Sequence, residues 1–140
     1  MDVKTVWTGA QIAATAIGGF IVWLLGGCDG LLYALAAMIA IDYVTGVLCA
    51  ISERKLSSEI GMRGIIKKVS VFLLVGVAHI VDGVVGSSGI LRSATIMFFI
   101  SNEGLSLLEN ATRIGVPIPP KLKDMLAQLR QRDEGGGDSK

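Results

Sequence analysis

The amino-acid sequence predicts an all-α integral membrane protein. It would have three to four transmembrane helices, arranged as two helical hairpins, and a short cytoplasmic amphipathic helix after them. Hydrophobic residues make up 51% of the 140 residues and charged residues only 18%. Most charges lie at the N-terminus, in a central segment and toward the C-terminal end, whereas a soluble chain spreads its charges along every exposed face. The apolar blocks between them approach the roughly 20 residues that cross a bilayer core.

The same composition argues against several other classes of protein. Long uncharged stretches do not fit a soluble globular domain or a disordered chain. The two cysteines, Cys28 and Cys49, do not suggest a disulfide framework, and at the two ends of one spanning helix they would lie about 30 Å apart. A net charge of +1 gives no basic surplus for nucleic acid, so we expect no nucleic-acid partner.

The first apolar block contains no charged residue from Thr5 to Cys28, which predicts a helix over about residues 5–27. Trp7 and Trp23 lie near its two ends, as interfacial aromatic residues do. Every fourth residue along part of the block is small, which predicts a face for close helix packing. These small residues are Ala10, Ala14 and Gly18. The block is long for a cleaved signal peptide, and the apolar block that follows argues against a lipoprotein cleavage site at Cys28.

Three further blocks predict helices over about residues 30–51, 69–86 and 90–111. Short glycine-rich segments join the first block to the second and the third to the fourth. Short connections of this kind make antiparallel hairpins. All three prolines follow the fourth block. We expect a membrane domain over residues 1–118, with a basic linker at residues 52–68 between the hairpins.

The distribution of cations predicts the orientation in the membrane. The linker carries five cations, and the segment after the fourth block is also basic, whereas the two glycine-rich turns have none. The linker cations are Arg54, Lys55, Arg63, Lys67 and Lys68. Because cytoplasmic loops are enriched in Lys and Arg, the linker and both termini should be cytoplasmic. An alternative has three spans, with the first block lying along the membrane surface and the N-terminus outside.

Residues 119–140 are expected to form a cytoplasmic segment. Apolar residues at helical spacing predict an amphipathic helix in its first part. They are Leu122, Met125, Leu126 and Leu129. Pro119 and Pro120 suit the start of such a helix. The last residues, Gly135 to Lys140, are expected to be a disordered polar tail.

Ionisable and polar residues inside the apolar blocks are the candidate functional residues, because each needs a partner or a water path. The second block places Asp42 and Thr45 on one face, and the third places His79 and Asp82 on one face. A helical wheel of the fourth block gathers its polar residues within an arc of about 120°. This arc includes Arg92, Asn102, Glu103, Ser106, Glu109 and Asn110.

Two interpretations of these residues remain open. In one, they neutralise each other inside a compact unit: Asp82 pairs with Arg92, and His79 serves Asp42 or Glu103. In the other, several copies assemble and the polar arc of the fourth block lines water. Acids outnumber bases inside the blocks, so complete pairing within one copy is not expected.

No motif indicates catalysis. A single histidine gives no His-rich metal site within one chain, and neither a GxSxG elbow nor a phosphate-binding GxxxxGK[ST] sequence is present. We therefore expect a non-enzyme without metal or other cofactor, whose partners are the lipid bilayer and further copies of itself.

Several segments carry a resemblance to a known family. Residues 41–46 (IDYVTG), 56–61 (LSSEIG) and 64–68 (GIIKK) are followed by the longest similar stretch, ISNEGLSLLENA at residues 100–111, and by IGVPIPPKL at residues 114–122. Together they resemble the phage holins of the toxin-secretion/phage-lysis family, in order over about residues 30–129. The first 29 residues are similar only in hydrophobic character.

The resemblance implies a bacteriophage protein of the host cytoplasmic membrane that assembles as a homo-oligomer and opens a lesion for a cell-wall-degrading endolysin. Relatives encoded beside clostridial toxin genes imply an alternative cargo, a large toxin. A different class of function also remains open: a small ion or proton conductor that uses Asp42, His79 and Glu103 as a relay. Asp42, Arg92, Asn102, Glu103 and Glu109 are the residues we expect in polar packing or at a lumen.

Overall fold

A computed structural model of the chain describes residues 2–135, with side chains of the last helix described only in part. Its regular elements are five helices: α1 (Val3–Leu24), α2 (Gly30–Ser52), α3 (Ser58–Val85), α4 (Ile90–Ile114) and α5 (Pro120–Gly135). The all-α architecture is thereby confirmed. Among the described residues, α1, α2 and α3 have the length and hydropathy of membrane spans. α4 is also long enough, but it is more polar and carries four charged residues.

The apolar core lies where α2, α3 and α4 meet. α2 packs extensively along α4, and α3 packs against the same helix, so the expected hairpin of α3 and α4 is present. The core side chains are Leu25, Leu32, Leu35, Ile39, Val71, Val75 and Ile96. α5 packs only against α4 among the described contacts. The middle of the chain is therefore a three-helix unit with α4 at its centre.

α1 joins this unit only at its end. None of its residues is buried, and its contacts within the described chain are with α3, where Leu24 lies against Gly76. The glycine-rich turn to α2 is present, with Gly26 and Gly27 at positive φ, but α1 and α2 do not pack side by side.

The start of α3 corrects the linker expected at residues 52–68. The helix begins at Ser58, because the Ser57 hydroxyl caps it by accepting from the Ile60 amide at 3.2 Å. Glu59 in its first turn pairs with Arg63 one turn later, at 3.1 Å. Charged residues there occupy the exposed side of a helix rather than a loop. Only residues 53–57 connect α2 to α3.

The other ends differ less from expectation. α1 ends at Leu24 rather than near residue 27, and α4 continues to Ile114, where Gly115 at φ +96° ends it. α5 forms where the amphipathic helix was expected. The side chains of Leu126 and Leu129, and the part of the expected disordered tail beyond residue 135, lie outside the described residues.

Candidate functional site

An ionic triad joins the three packed helices. The Lys68 Nζ atom on α3 donates to Asp42 Oδ2 on α2 at 2.6 Å and also to Glu103 Oε2 on α4. Asp42 and Glu103 are 6% and 5% exposed, and the Lys68 side chain is nearly as enclosed. Each helix thus contributes one charged group to a shared buried contact.

The triad follows from the antiparallel arrangement of α2 and α3. Asp42 lies ten residues before the end of α2, and Lys68 lies ten residues after the start of α3. At 1.5 Å per residue, both lie about 15 Å from the connecting loop. Lys68 was expected among the membrane-flanking cations of a linker. The helical start of α3 instead carries it into the core, whereas Arg54, Lys55, Arg63 and Lys67 stay at the surface, with Arg54 in the short connection.

Asn110 and Thr45 complete the surroundings of Asp42. The Asn110 amide donates to Asp42 Oδ1 at 3.1 Å, and the Thr45 hydroxyl donates to the Asp42 backbone carbonyl at 3.0 Å. Gly46 lies beside Asn110, where an added Cβ would be at an ordinary contact distance of 3.5 Å from the amide nitrogen. Beside the triad is a cavity of about 240 Å³, to whose wall Ser106 contributes. Part of the polar arc of α4 therefore faces inward, toward the other helices.

Arg92 forms a second buried polar contact at the other end of the unit, which we name the arginine clamp. Its Nη1 atom lies 2.6 Å from Asp29 Oδ2, its Nε donates to the Leu25 carbonyl at 2.6 Å, and its Nη2 donates to the Gly27 carbonyl at 3.1 Å. The hydrogen bond from Arg92 lowers the pKa of the Asp29 carboxyl below 3.8. The clamp fixes the turn between α1 and α2 to α4.

Gly26 is required by the clamp. Its φ is +76°, and a Cβ there would lie 2.6 Å from His79 Nδ1 and 2.8 Å from Arg92 Nε. Only glycine combines this backbone conformation with so close an approach. His79 therefore lies beside the clamp, eleven residues or about 16 Å along α3 from Lys68. The structure does not bring His79 together with Asp42 and Glu103.

Asp82 caps the start of α4 from the neighbouring helix. Its carboxylate accepts from the Leu91 amide at 3.0 Å and the Arg92 amide at 2.7 Å, and the Ser87 hydroxyl also donates to it. The N-cap residue of α4, Gly89, has no side chain to fill this role. Asp82 and Arg92 are thus in contact through the backbone amide of Arg92, while its guanidinium binds Asp29.

The remaining candidates lie nearer the surface. Asn102 is half-buried, and Glu109 is exposed. The small face of α1 packs against no other described helix, because Ala10 and Ala14 are exposed and nothing lies within 4 Å of a Cβ added at Gly18.

Sequence reasoning missed two acidic partners. Asp29 had a usable signal, since an Asp directly before an apolar block is a typical N-cap; it accepts from the Leu32 amide at 2.9 Å. Glu53 binds Arg113 through both carboxylate oxygens at 3.0 and 3.1 Å, and the nearby Lys55 lowers the pKa of Glu53. Nothing local in the sequence indicates that second pairing.

The described residues include neither a cluster of metal ligands nor a disulfide pair. No group of three or more His, Cys, Asp or Glu residues among them is placed to hold a metal ion. Cys28 and Cys49 are both free thiols. What the site offers is charge pairing between helices.

Comparison with known proteins identifies the family. Residues 19–131 match the family model described as the bacteriophage holin family. A probable holin of Bacillus phage phi105 is 42% identical over 86 residues, which cover 61% of this chain and 64% of the relative.

Bacterial relatives extend this similarity. The uncharacterized protein YqxH of Bacillus subtilis is 38% identical over 113 residues, 81% of this chain and 80% of its own. A 14.9 kDa protein from the nagH 3' region of Clostridium perfringens is 38% identical over 118 residues, 84% of this chain and 89% of its own. No solved structure matches the chain significantly. The ionic triad and the arginine clamp both lie within the matched residues, and the chain belongs to the bacteriophage holin family of membrane proteins.

Proposed function

We propose that the chain is a phage holin that assembles with copies of itself in the cytoplasmic membrane of a bacterial host. The assembly then opens a lesion through which an endolysin reaches the cell wall. Family membership supports this role, as do three helices with the length and hydropathy of membrane spans. No enzymatic step is needed, because the chain acts by changing its packing.

The ionic triad is the observation that carries the proposal. It sets two carboxylates, Asp42 and Glu103, against a single ammonium group, Lys68. The triad therefore has one more negative charge than positive charge, and it lies in a low-dielectric setting. Burying ions costs several kcal/mol each, and their attraction offsets that cost only with complete pairing. Contact with water or with another copy would therefore stabilise the excess carboxylate charge of the triad.

The packed chain accordingly represents the closed state in this proposal. Opening would separate α4 from α2 and α3 and present its polar arc to a lumen. In the packed chain, four residues of that arc are buried or half-buried: Asn102, Glu103, Ser106 and Asn110. Tightly packed helices switch between discrete packings and do not deform continuously. This behaviour suits a delayed, abrupt transition.

A relay of protons through Asp42, His79 and Glu103 gains no support from the packed chain. Lys68 lies between the two acids, and His79 lies beside the arginine clamp instead. The charged groups of the bundle join separate helices. This arrangement fits a lesion that passes folded protein better than it fits a proton relay.

Co-expression with an endolysin tests the proposal. The chain is induced in bacteria with and without a cytoplasmic endolysin, and culture density and release of a cytoplasmic reporter enzyme are followed. We expect growth arrest with the chain alone and abrupt lysis with both. Endolysin alone is the control. Abundant chain in the membrane with the endolysin still retained in the cytoplasm would overturn the proposal.

A further inference from the structure

α1 has no partner in the packed unit, although it is as long and apolar as a membrane span. All 22 of its residues are at least partly exposed, and only its end touches α3. Most of it also precedes residues 19–131, which match the family. The role of α1 therefore has to be inferred from its own side chains.

One face of α1 is polar and small. At 100° per residue, Thr8, Gln11, Thr15 and Gly18 fall within an arc of about 80°. Lys4 and Val22, near the two ends of the helix, project on the same side, whereas Ala16 and Phe20 lie outside this arc. A Cβ added at Gly18 or Gly19 would meet no other atom within 4 Å. The polar face is therefore open along its length; we name Thr8, Gln11, Thr15 and Gly18 the α1 polar face.

Gln11 is the residue on this face that needs a partner. The two threonines are satisfied inside the helix, since the Thr8 hydroxyl donates to the Lys4 carbonyl at 2.9 Å and the Thr15 hydroxyl to the Gln11 carbonyl at 2.8 Å. The Gln11 side-chain amide is exposed, and no other helix of the described chain reaches it. It has two donor hydrogens and a carbonyl acceptor, which hydrocarbon cannot satisfy.

We propose that α1 is an association helix, whose polar face pairs with α1 of a second copy through hydrogen bonds between the two Gln11 amides. This inference rests on the proposed assembly of copies and names one of its interfaces. Two copies in one membrane have the same orientation, so a twofold pair places equivalent residues opposite each other. An amide both donates and accepts, so it is complementary to its own copy.

The neighbouring residues permit this pairing. Small residues at a membrane helix interface let the backbones approach, and amide side chains bond across it. Gly18 supplies the close approach about two helical turns beyond Gln11, and Thr15 lies between them. α1 contains one charged residue, Lys4 at its start, so no like charges oppose each other in the middle of the pair.

Disulfide trapping in membranes tests the pairing in the full chain. A background without native thiols carries Cys28→Ser and Cys49→Ala. Thr15→Cys is then compared with Ala16→Cys, which lies at nearly the same depth but 100° around the helix, outside the α1 polar face. After mild oxidation of isolated membranes we expect covalent dimers from Thr15→Cys and few from Ala16→Cys.

Substitutions of Gln11 test the amide itself. Adding Gln11→Leu to Thr15→Cys should weaken α1 association about five- to thirtyfold, the effect of losing a typical interhelical hydrogen bond. Gln11→Asn retains an amide and should keep most of the dimer. Equal trapping at both cysteine positions, or trapping unaffected by Gln11→Leu, would overturn the inference.

A labelling experiment covers the alternative in which α1 lies along the membrane surface. There Gln11 would be hydrated and would need no partner, so rapid reaction of Thr15→Cys with a water-soluble maleimide would also overturn the inference. Lysis is recorded in the same strains. Face-specific trapping without lysis would sink the holin proposal alone, and lysis without face-specific trapping would sink the α1 interface alone.

Discussion

Lys68 Nζ lies 2.6 Å from Asp42 Oδ2, so a cation that the sequence places beside the membrane instead neutralises an acid midway along α2. Glu103 on α4 shares the same ammonium group. One lysine thus connects three helices.

Lys68→Met should destabilise the packed unit and advance the onset of lysis. Methionine fills a similar volume, but it leaves Asp42 and Glu103 together without a cation. Breaking a buried ion pair by removing one partner costs about 3–5 kcal/mol. Lysis time at matched protein level in the membrane is the measurement. Lys67→Met, at the exposed neighbouring position, is the control and should leave the time unchanged.

A neutral triad should reverse this effect. Lys68→Met combined with Asp42→Asn and Glu103→Gln buries no charge, and such replacements are often neutral or stabilising. We expect the triple variant to lyse later than Lys68→Met alone. If Lys68→Met and the triple variant both lyse with wild-type timing, charge pairing at this position does not govern opening.

Glu103→Leu should leave membrane insertion intact and delay opening. A charged acid near the middle of a span costs about 2.5–3.5 kcal/mol on insertion scales, and leucine removes that cost. The substitution also leaves Lys68 paired one to one with Asp42, so the closed state loses its charge imbalance. The open state loses a polar group from the face proposed to meet water. Membrane fractionation and lysis timing measure the two effects.

Leu105→Ala is the comparison for Glu103→Leu. Leu105 is half-buried and lies on the other side of α4, so it tests whether any change in packing alters the timing. Wild-type timing with Glu103→Leu would make Glu103 an incidental packing residue and would remove the support for a lumen face on α4.

Both termini should be cytoplasmic. Arg54, Lys55 and the exposed Arg63 lie at one end of the packed helices, near the loop after α2, and Arg113 at the end of α4 binds Glu53 there. The positive-inside rule places that end in the cytoplasm. Reporter enzymes that work on only one side of the membrane are fused to each terminus. An external signal from the N-terminal fusion would indicate three spans, with α1 along the surface.

The helical fold could be predicted from the sequence because it depends on local patterns. Apolar blocks, glycine-rich turns and the absence of internal proline predicted α2 and α4 to within a few residues. The start of α3 was missed since Glu59, Arg63 and Lys67 give the segment the composition of a loop. Ser57, followed by Glu59 in the first turn, was the signal for a helix start.

The site could be predicted only in part, for a physical reason. The sequence identifies which groups are too polar for the membrane, including Asp42, Arg92 and Glu103, but their partners depend on helix depth and rotation. α3 begins eleven residues earlier than the sequence predicts, so Lys68 lies within the helix and in the core. The guanidinium of Arg92 binds Asp29 rather than Asp82 because the backbone amides of α4 already occupy the Asp82 carboxylate.

The Asp29–Arg92 pair should contribute to stability at neutral and mildly acidic pH and lose its contribution in strong acid. Arg92 lowers the pKa of Asp29 below 3.8 in the folded chain. A lowered folded pKa stabilises the chain above the unfolded value, and the benefit is lost as pH falls through the folded value. The difference in unfolding free energy between wild type and Asp29→Asn should stay constant from about pH 7 to 5.

Below the usual aspartate pKa of 3.8 this difference should shrink. The asparagine introduced by Asp29→Asn would still cap α2 through its side-chain oxygen, so the comparison isolates the charge. Because Asp29 is half exposed, the difference should not exceed about 1 kcal/mol. A difference that grows toward acid pH would contradict the assigned pair.

Arg92→Lys should destabilise the chain even though it keeps the positive charge. The guanidinium reaches three acceptors in different directions: the Leu25 carbonyl, the Gly27 carbonyl and the Asp29 carboxylate. A lysine ammonium is a point charge without the planar fork of arginine, so it cannot match this geometry. Leaving a buried acceptor without its donor costs about 1–3 kcal/mol. Unfolding in detergent solution measures the loss.

Arg113→Lys is the matched control for Arg92→Lys. Arg113 also binds a carboxylate through two nitrogens, on Glu53, but its side chain is 56% exposed, whereas the side chain of Arg92 is 6% exposed. Exposed ion pairs contribute little because solvent screens their charges, so Arg113→Lys should cost little. Arg92→Lys should in addition speed protease cleavage in the turn between α1 and α2, because the clamp is what ties that turn to α4. Equal small losses for the two variants, with the turn equally resistant, would mean that burial of Arg92 does not fix the end of α1.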